Sequence, residues 1–204
     1  LSGLEMKGVI RRRRRGAGGS RFIAPGYAIP KTPNPTSADM IRWITDFTAL
    51  NRASKLRRNP MPDLARDIAA FGDYKLYCVL DLKMAYYSIG IDEQSQDLTV
   101  FTGNRGELWS YKRAPMGLAQ SAYTFMAAVN NALQPLGHKV LAVYDDLLFG
   151  ADSVEDGIEL LKDVLKCLDD ANFTINPKKA QLFKREVEFA GHQIGRGTWG
   201  PNMK

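Results

Sequence analysis

Two cysteines and two histidines are all the thiolate and imidazole metal ligands in 204 residues. Cys78 and Cys167 lie inside apolar patterns without metal-type pairing, so both are expected to be buried thiols. With only His138 and His192, a histidine-based zinc site is not expected. No apolar run approaches the length of a membrane span and no signal peptide precedes the domain, so no membrane partner is expected. The first residue is Leu1, which suggests a piece of a longer polypeptide. Internal repeats are lacking too. What is there is ordinary for a mixed α/β protein: ten prolines, eighteen glycines and a 45% hydrophobic content, enough for one large domain or two lobes.

Charge is unevenly placed. Residues 1–31 carry eight basic side chains (Lys7, Arg11–Arg15, Arg21, Lys31) against Glu5, a net of +7. The whole chain is +6, so residues 32–204 come to −1. The basic excess is therefore one segment. Five consecutive arginines suit a solvated, disordered or nuclear-targeting run, and equally a phosphate-contacting one with strongly salt-dependent binding.

The segment Val140–Gly150, V-L-A-V-Y-D-D-L-L-F-G, sets two apolar β-prone runs around adjacent Asp145 and Asp146. The pattern predicts a tight hairpin with carboxylates at its tip. Asp-Asp also makes a turn unaided, and taken alone the hairpin favours that plainer reading. A third carboxylate changes the balance. Tyr77–Leu80 is a buried-strand run ending at Asp81, where an acid is costly unless solvated or coordinated. Three carboxylates from two strand segments could hold paired Mg²⁺ ions roughly 3.5–4 Å apart, the site that in-line phosphoryl transfer uses.

Asp81 with Tyr86, P-M-G-L-A-Q-S at Pro115–Ser121, and Asp145-Asp146 occur in one order and spacing. In these motifs the chain resembles the reverse transcriptases, the retrotransposon and retrovirus branch and gypsy-type elements most. The resemblance covers nearly the whole chain and implies a function: RNA-directed DNA polymerisation within a retroelement polyprotein. It implies Asp81, Asp145 and Asp146 as catalytic metal ligands, Asp146 in support, for two Mg²⁺ ions, with Mn²⁺ as substitute. Lys31 and Arg42 match the fingers residues that grip the incoming triphosphate, as a point charge and a bidentate fork. Tyr86, five residues beyond Asp81, matches the aromatic gate that leaves no room for a ribose 2′-OH. Its plainer reading is a core aromatic. Met116 and Gly117 would lie against the nascent base pair, Gly117 permitting close backbone approach. Phe189, Gly191 and His192, within F-A-G-H, resemble the primer-grip hairpin. The basic run falls in the fingers, which tilts Arg11, Arg12 and Arg13 toward template phosphates. Asp46-Phe47 with Leu50-Asn51 matches a structural D-[FY]-x-x-L-N segment. One departure stands out: the usual Tyr-x-Asp-Asp has Val143 in the tyrosine's place.

The expected fold is α+β, a right-hand polymerase fingers–palm with an antiparallel palm sheet backed by helices and no thumb. Fingers would be 1–55 and 89–120, palm 56–88 and 121–204. Strands are predicted at Phe22–Ile29, interrupted by Pro25-Gly26, at Met40–Phe47, Tyr86–Ile91, Phe173–Asn176 and Val187–Ile194. Asp92–Tyr111 reads as a hairpin around Gly103–Gly106. Helices are predicted over 60–71, from a Ser121 cap to about Leu133, and from a Ser153–Asp156 capping box with Ile158, Leu161, Leu165 and Leu168 on its apolar face. Expected partners are an RNA or DNA template–primer, dNTPs, and the parent chain's thumb and ribonuclease H regions. The expected place is the cytoplasm, within virus-like particles, or the nucleus. Two rivals remain: an RNA-dependent RNA polymerase palm, against which Tyr86 argues, and a non-catalytic relic that only binds nucleic acid.

Overall fold

A strand that ends on an acid, Leu76–Asp81, is an inner strand of a four-stranded sheet. In the computed structural model the described residues are 1–13, 20, 22–37, 40–55, 64–69, 71, 73–195 and 198–201. Expectations placed on Arg14, Arg15, the glycine tract 16–19 and positions 60–63 lie outside them. In chain order the elements are α1 (Ser2–Met6), β1 (Ile10–Arg12), β2 (Ala24–Pro30), β3 (Ile41–Thr45), α2 (Thr48–Ala53), α3 (Leu64–Ala69), β4 (Leu76–Asp81), α4 (Glu93–Gln96), β5 (Phe101–Thr102) and β6 (Leu108–Tyr111). Then come α5 (Ala119–Leu133), β7 (Val140–Val143), β8 (Asp146–Ala151), α6 (Val154–Asp170), β9 (Gln181–Lys184), β10 (Glu186–Phe189), β11 (His192–Gly195) and β12 (Thr198–Pro201). The fold is α+β.

Two units divide the chain: Leu1–Arg58 with Tyr86–Tyr123, and Asn59–Ala85 with Thr124–Lys204. The first holds a five-stranded sheet in the order β1-β6-β5-β2-β3. Within it β2 does not break at Pro25-Gly26. Pro25 lacks a donor, but its carbonyl accepts from Asp46 N at 2.9 Å, so the strand continues. At Gly26 a Cβ would lie 2.5 Å from the Trp43 ring, so glycine there serves close packing and is no stop signal.

The second unit holds an antiparallel four-stranded sheet, β7-β8-β4-β9, and a three-stranded one, β10-β11-β12. Its core joins Ile68, Phe71, Tyr77, Val79, Val143, Leu148, Val187, Phe189 and Ile194. Each such large side chain, fully buried, contributes about 1.5–3 kcal/mol. Helix α6 packs on β4 and β8, and Ser153 caps it as predicted, accepting from Asp156 N at 3.1 Å.

Several expectations are corrected. Tyr86–Ile91 is not a strand: Ala85–Ser88 forms a 3₁₀ turn after Met84, whose φ is +53°, and short alternation could not tell the two apart. Asp92 starts no hairpin strand; it caps α4 through Ser95 N, and only β5 and β6 form the hairpin. Phe173–Asn176 supplies one bridge, Leu82 to Ile175, whereas β9, which was not anticipated, joins the sheet beside β4. Helix α6 buries Gly157, Val164 and Leu168, leaving Ile158 and Leu165 on its exposed side. The face is turned because the Phe183 ring packs where a Gly157 Cβ would stand, and glycine does not register as apolar in a pattern.

Candidate active site

Antiparallel pairing of β7 with β8 runs from Val140↔Phe149 to Val143↔Asp146, leaving Tyr144 and Asp145 as a two-residue loop. Leu147, Leu148 and Phe149 are buried and hold the hairpin from below. Tyr144 has φ +52°, a left-handed conformation that a bulky residue adopts only under constraint from its surroundings. On the other side β8 pairs with β4, and the last rung sets Asp81 opposite Asp146. Asp145 is one residue away, and its carbonyl accepts from Leu82 N at 2.7 Å. The three acids named by the sequence are thus gathered at one end of one sheet.

Burial, then the neighbouring charges of Asp145 and Asp81, pushes the Asp146 carboxyl above the usual range; Lys179 and the Ala190 backbone oppose this. Lys179 is a site residue that sequence reasoning passed over as part of a loop. Its Nζ donates to Asp81 Oδ2 at 2.6 Å. The Asp81 hydrogen bond raises its pKa against desolvation, with help from the charges of all three aspartates. The loop bearing it is tied to β4: Asn176 N donates to Asp81 O at 2.8 Å, and Lys83 N to Thr174 O at 2.6 Å. The only signal was Asn176-Pro177-Lys178-Lys179, a turn with two cations; that the loop folds back onto Asp81 is tertiary information.

Among the described residues, no three His, Cys, Asp or Glu side chains form a closed metal-holding set as they stand. The donors nevertheless fit a hard divalent cation, being three carboxylates on adjoining backbone, and they already hold one cation, the Lys179 ammonium.

Val143, in the place of the usual tyrosine, is 9% exposed and joins the core cluster, so the hairpin is secured there by packing. Beside it, β10 and β11 are joined by Ala190 and Gly191, with φ of +47° and +78°. Phe189 is 1% exposed, so its ring anchors this hairpin in the core and is not available to nucleic acid. The presented surface is the turn itself, with His192 Nδ1 3.1 Å from Ala190 O.

In the first unit, Arg42 pairs with Ile29 in the β2–β3 ladder, and Lys31 follows directly, its N donating to Met40 O at 2.7 Å. Both side chains are exposed. Tyr86 is half-buried in its 3₁₀ turn. Tyr87, next to it, has its phenol pushed up by burial, with Arg42 near enough to oppose. Met116 is 45% exposed and Gly117 has φ +86°, a conformation that favours glycine. Asn51 fastens this loop twice: Nδ2 donates to Gly117 O at 2.8 Å, and Oδ1 accepts from Ala119 N at 2.9 Å. The helix start is therefore capped by a residue 68 positions away, and Ser121 is not the cap: its hydroxyl is buried inside α5 without a partner among the described residues.

Arg11 and Arg12 lie in a strand, opposite Ser110 and Trp109, because buried Ile10 anchors it; Arg13 N adds a bond to Leu108 O. Arg11 Nη1 is 3.6 Å from Glu93 Oε1, and Arg13 pairs with Asp97. Arg12 and Arg13 line an open cleft of about 1030 Å³ with Glu5, Arg105 and Glu107. Arg11 and Arg13 are thus not simply solvated charges: part of their charge is met by acids of the same unit.

The profile of a family described as reverse transcriptase (RNA-dependent DNA polymerase) matches residues 29–194. The chain is 29% identical over 184 residues, 90% of its length, to the retrovirus-related Pol polyprotein from transposon 297 of Drosophila melanogaster. It is 32% identical over 156 residues, 76% of its length, to that from transposon gypsy of the same organism. It spans only 17% and 15% of those polyproteins. Among solved structures, the foamy viral protease-reverse transcriptase in complex with dsDNA has a TM-score of 0.84 at 24% identity, over 99% of this chain and 40% of that one. The same viral protein with an RNA/DNA hybrid gives 0.81 at 24% identity, over 99% of this chain and 26% of that one. At that identity the likeness speaks for the fold, a reverse transcriptase fingers–palm.

Proposed function

Since the chain belongs to the reverse transcriptase (RNA-dependent DNA polymerase) family, in its retrotransposon branch, we propose that it performs RNA-directed DNA synthesis for a retroelement polyprotein. The observation that carries this reading is the rung Asp81↔Asp146 with Asp145 in the adjoining turn. Asp81 and Asp145 are the principal ligands of divalent cations, two Mg²⁺ ions in this proposal, and Asp146 supports them. When bound, such ions supply Lewis-acid stabilisation to an in-line displacement at a phosphoryl group.

The chain's own residues do the rest. Lys31 and Arg42 neutralise and hold the triphosphate of a dNTP. Tyr86 excludes the ribose 2′-OH. Asn51 holds Gly117 so that the Met116–Gly117 backbone borders the nascent base pair. The Ala190–Gly191 turn, with His192, steadies the primer backbone near its 3′ end. Template–primer and dNTPs are thus the proposed partners, and the cytoplasm, inside a virus-like particle, the proposed place.

Primer extension on a heteropolymeric RNA template, with dNTPs or rNTPs and Mg²⁺, tests the reading. DNA synthesis is expected. Preference for rNTPs would mark an RNA polymerase, and template binding without synthesis a non-catalytic relic.

A further inference from the structure

We infer that Lys179 is the cation the acidic cluster holds before a divalent metal arrives, and that metal binds by exchange against its ammonium. The inference rests on the metal role proposed above for the three aspartates.

Like charges directly opposite on adjacent strands destabilise a sheet, and Asp81 faces Asp146 with Asp145 beside them. A cation offsets this, and the one paired with the cluster among the described side chains is Lys179, at 2.6 Å from Asp81 Oδ2. The pairing has a consequence for ligation. An oxygen committed to an ammonium is not free for a metal.

The loop is built to keep the ammonium close while allowing it to leave. Its backbone is fixed on both sides: Asn176 N donates to Asp81 O before Lys179, and Gln181 pairs with Val79 in the β4–β9 ladder after it. The Lys179 side chain, in contrast, is 63% exposed, against 13% for Asp81. A four-carbon stem on a fixed backbone can swing out into water without disturbing the sheet. A pair whose purpose was stability alone would gain little at that exposure.

Mn²⁺ binding to the 204-residue chain, followed by titration calorimetry and by the free-ion electron paramagnetic resonance signal, tests the exchange. Lys179→Met is expected to bind Mn²⁺ roughly fivefold more tightly than wild type, the order that release of a partly exposed ion pair allows. Its metal-free melting temperature is expected to fall, and its Mn²⁺-saturated one to match wild type. Lys178→Met, one residue away and removing the same charge, controls for general electrostatics and should stay within about 1.5-fold of wild type. Lys179→Arg, which keeps a cation, should not show the gain. Unchanged or weaker Mn²⁺ affinity in Lys179→Met overturns the inference, as does an equal gain in Lys178→Met. Asp145→Asn separates the two levels. If wild type binds Mn²⁺ and Asp145→Asn does not, the metal site stands and the Lys179 variants alone decide. If wild type binds none, the metal site fails and the exchange with it.

Discussion

Asp81 and Asp146 face each other across the last rung between β4 and β8. The register that puts them there is set by the rungs below, where Val79 and Leu80 pair with Leu148 and Leu147, all four buried. Slipping this register by one residue would turn every one of those side chains to the wrong face, so the acids are aligned by hydrophobic packing beneath them.

Asp145→Asn is expected to abolish Mg²⁺-dependent primer extension, by about a thousandfold or more, while leaving the melting temperature nearly unchanged, since Asp145 is exposed in its loop. Near-normal extension by a folded variant would remove the polymerase assignment from this site.

Tyr86→Val is expected to raise kcat/KM for an rNTP relative to the matching dNTP. Steric exclusion acts on the wrong substrate, so discrimination should fall more than DNA synthesis does. A constant ratio together with lower stability would make Tyr86 an ordinary packed aromatic of its 3₁₀ turn.

Asn51→Ala removes both the Gly117 and the Ala119 hydrogen bonds and should lower stability by about 1–2 kcal/mol. Asn51→Asp keeps the acceptor for Ala119 N but sets an oxygen against Gly117 O. Urea unfolding should therefore rank Asn51→Asp nearer wild type, while both variants raise KM for dNTPs. An unaltered KM would leave Asn51 a purely architectural cap.

Changing Arg11 and Arg13 to Gln breaks pairs with Glu93 and Asp97 and should cost at most about 1 kcal/mol each, less at high salt. If these arginines contact template phosphates as well, the slope of log K against log salt should fall by nearly one per residue. A slope equal to wild type would confine them to the scaffold of the first unit.

Tyr111 is buried and shares a 3.0 Å hydrogen bond with Thr45; burial, the larger influence, pushes its phenol well above the usual value of 10.0, against that bond. A pKa raised in the folded state means stability fully present below pH 10 and lost as pH climbs from there toward the folded value. Melting temperatures measured from pH 9 upward should fall, and Tyr111→Phe should flatten part of that fall. Identical profiles would show that other groups govern alkaline unfolding.

For the acid-bearing strands the sequence was a sufficient guide, though short alternation misled at Tyr86–Ile91 and Phe173–Asn176. Apolar runs ending in acids at Asp81 and at Asp145-Asp146 specified strands and hairpin, because alternation and turn chemistry act between neighbours. The order of those motifs carried the family, and with it the α+β fold. Only the tertiary structure decided what depends on distant partners: that Lys179 reaches Asp81, that Asn51 caps α5 in place of Ser121, that Phe189 points into the core, and that Arg11 and Arg13 meet acids. Those of Lys179, Asn51 and the arginines rest on contacts between residues 68 to 98 positions apart, including 82 for Arg11 with Glu93 and 84 for Arg13 with Asp97, and that of Phe189 on which face its strand buries. Local pattern cannot hold that information, since the energy that selects those partners is released only when the sheets close on their core.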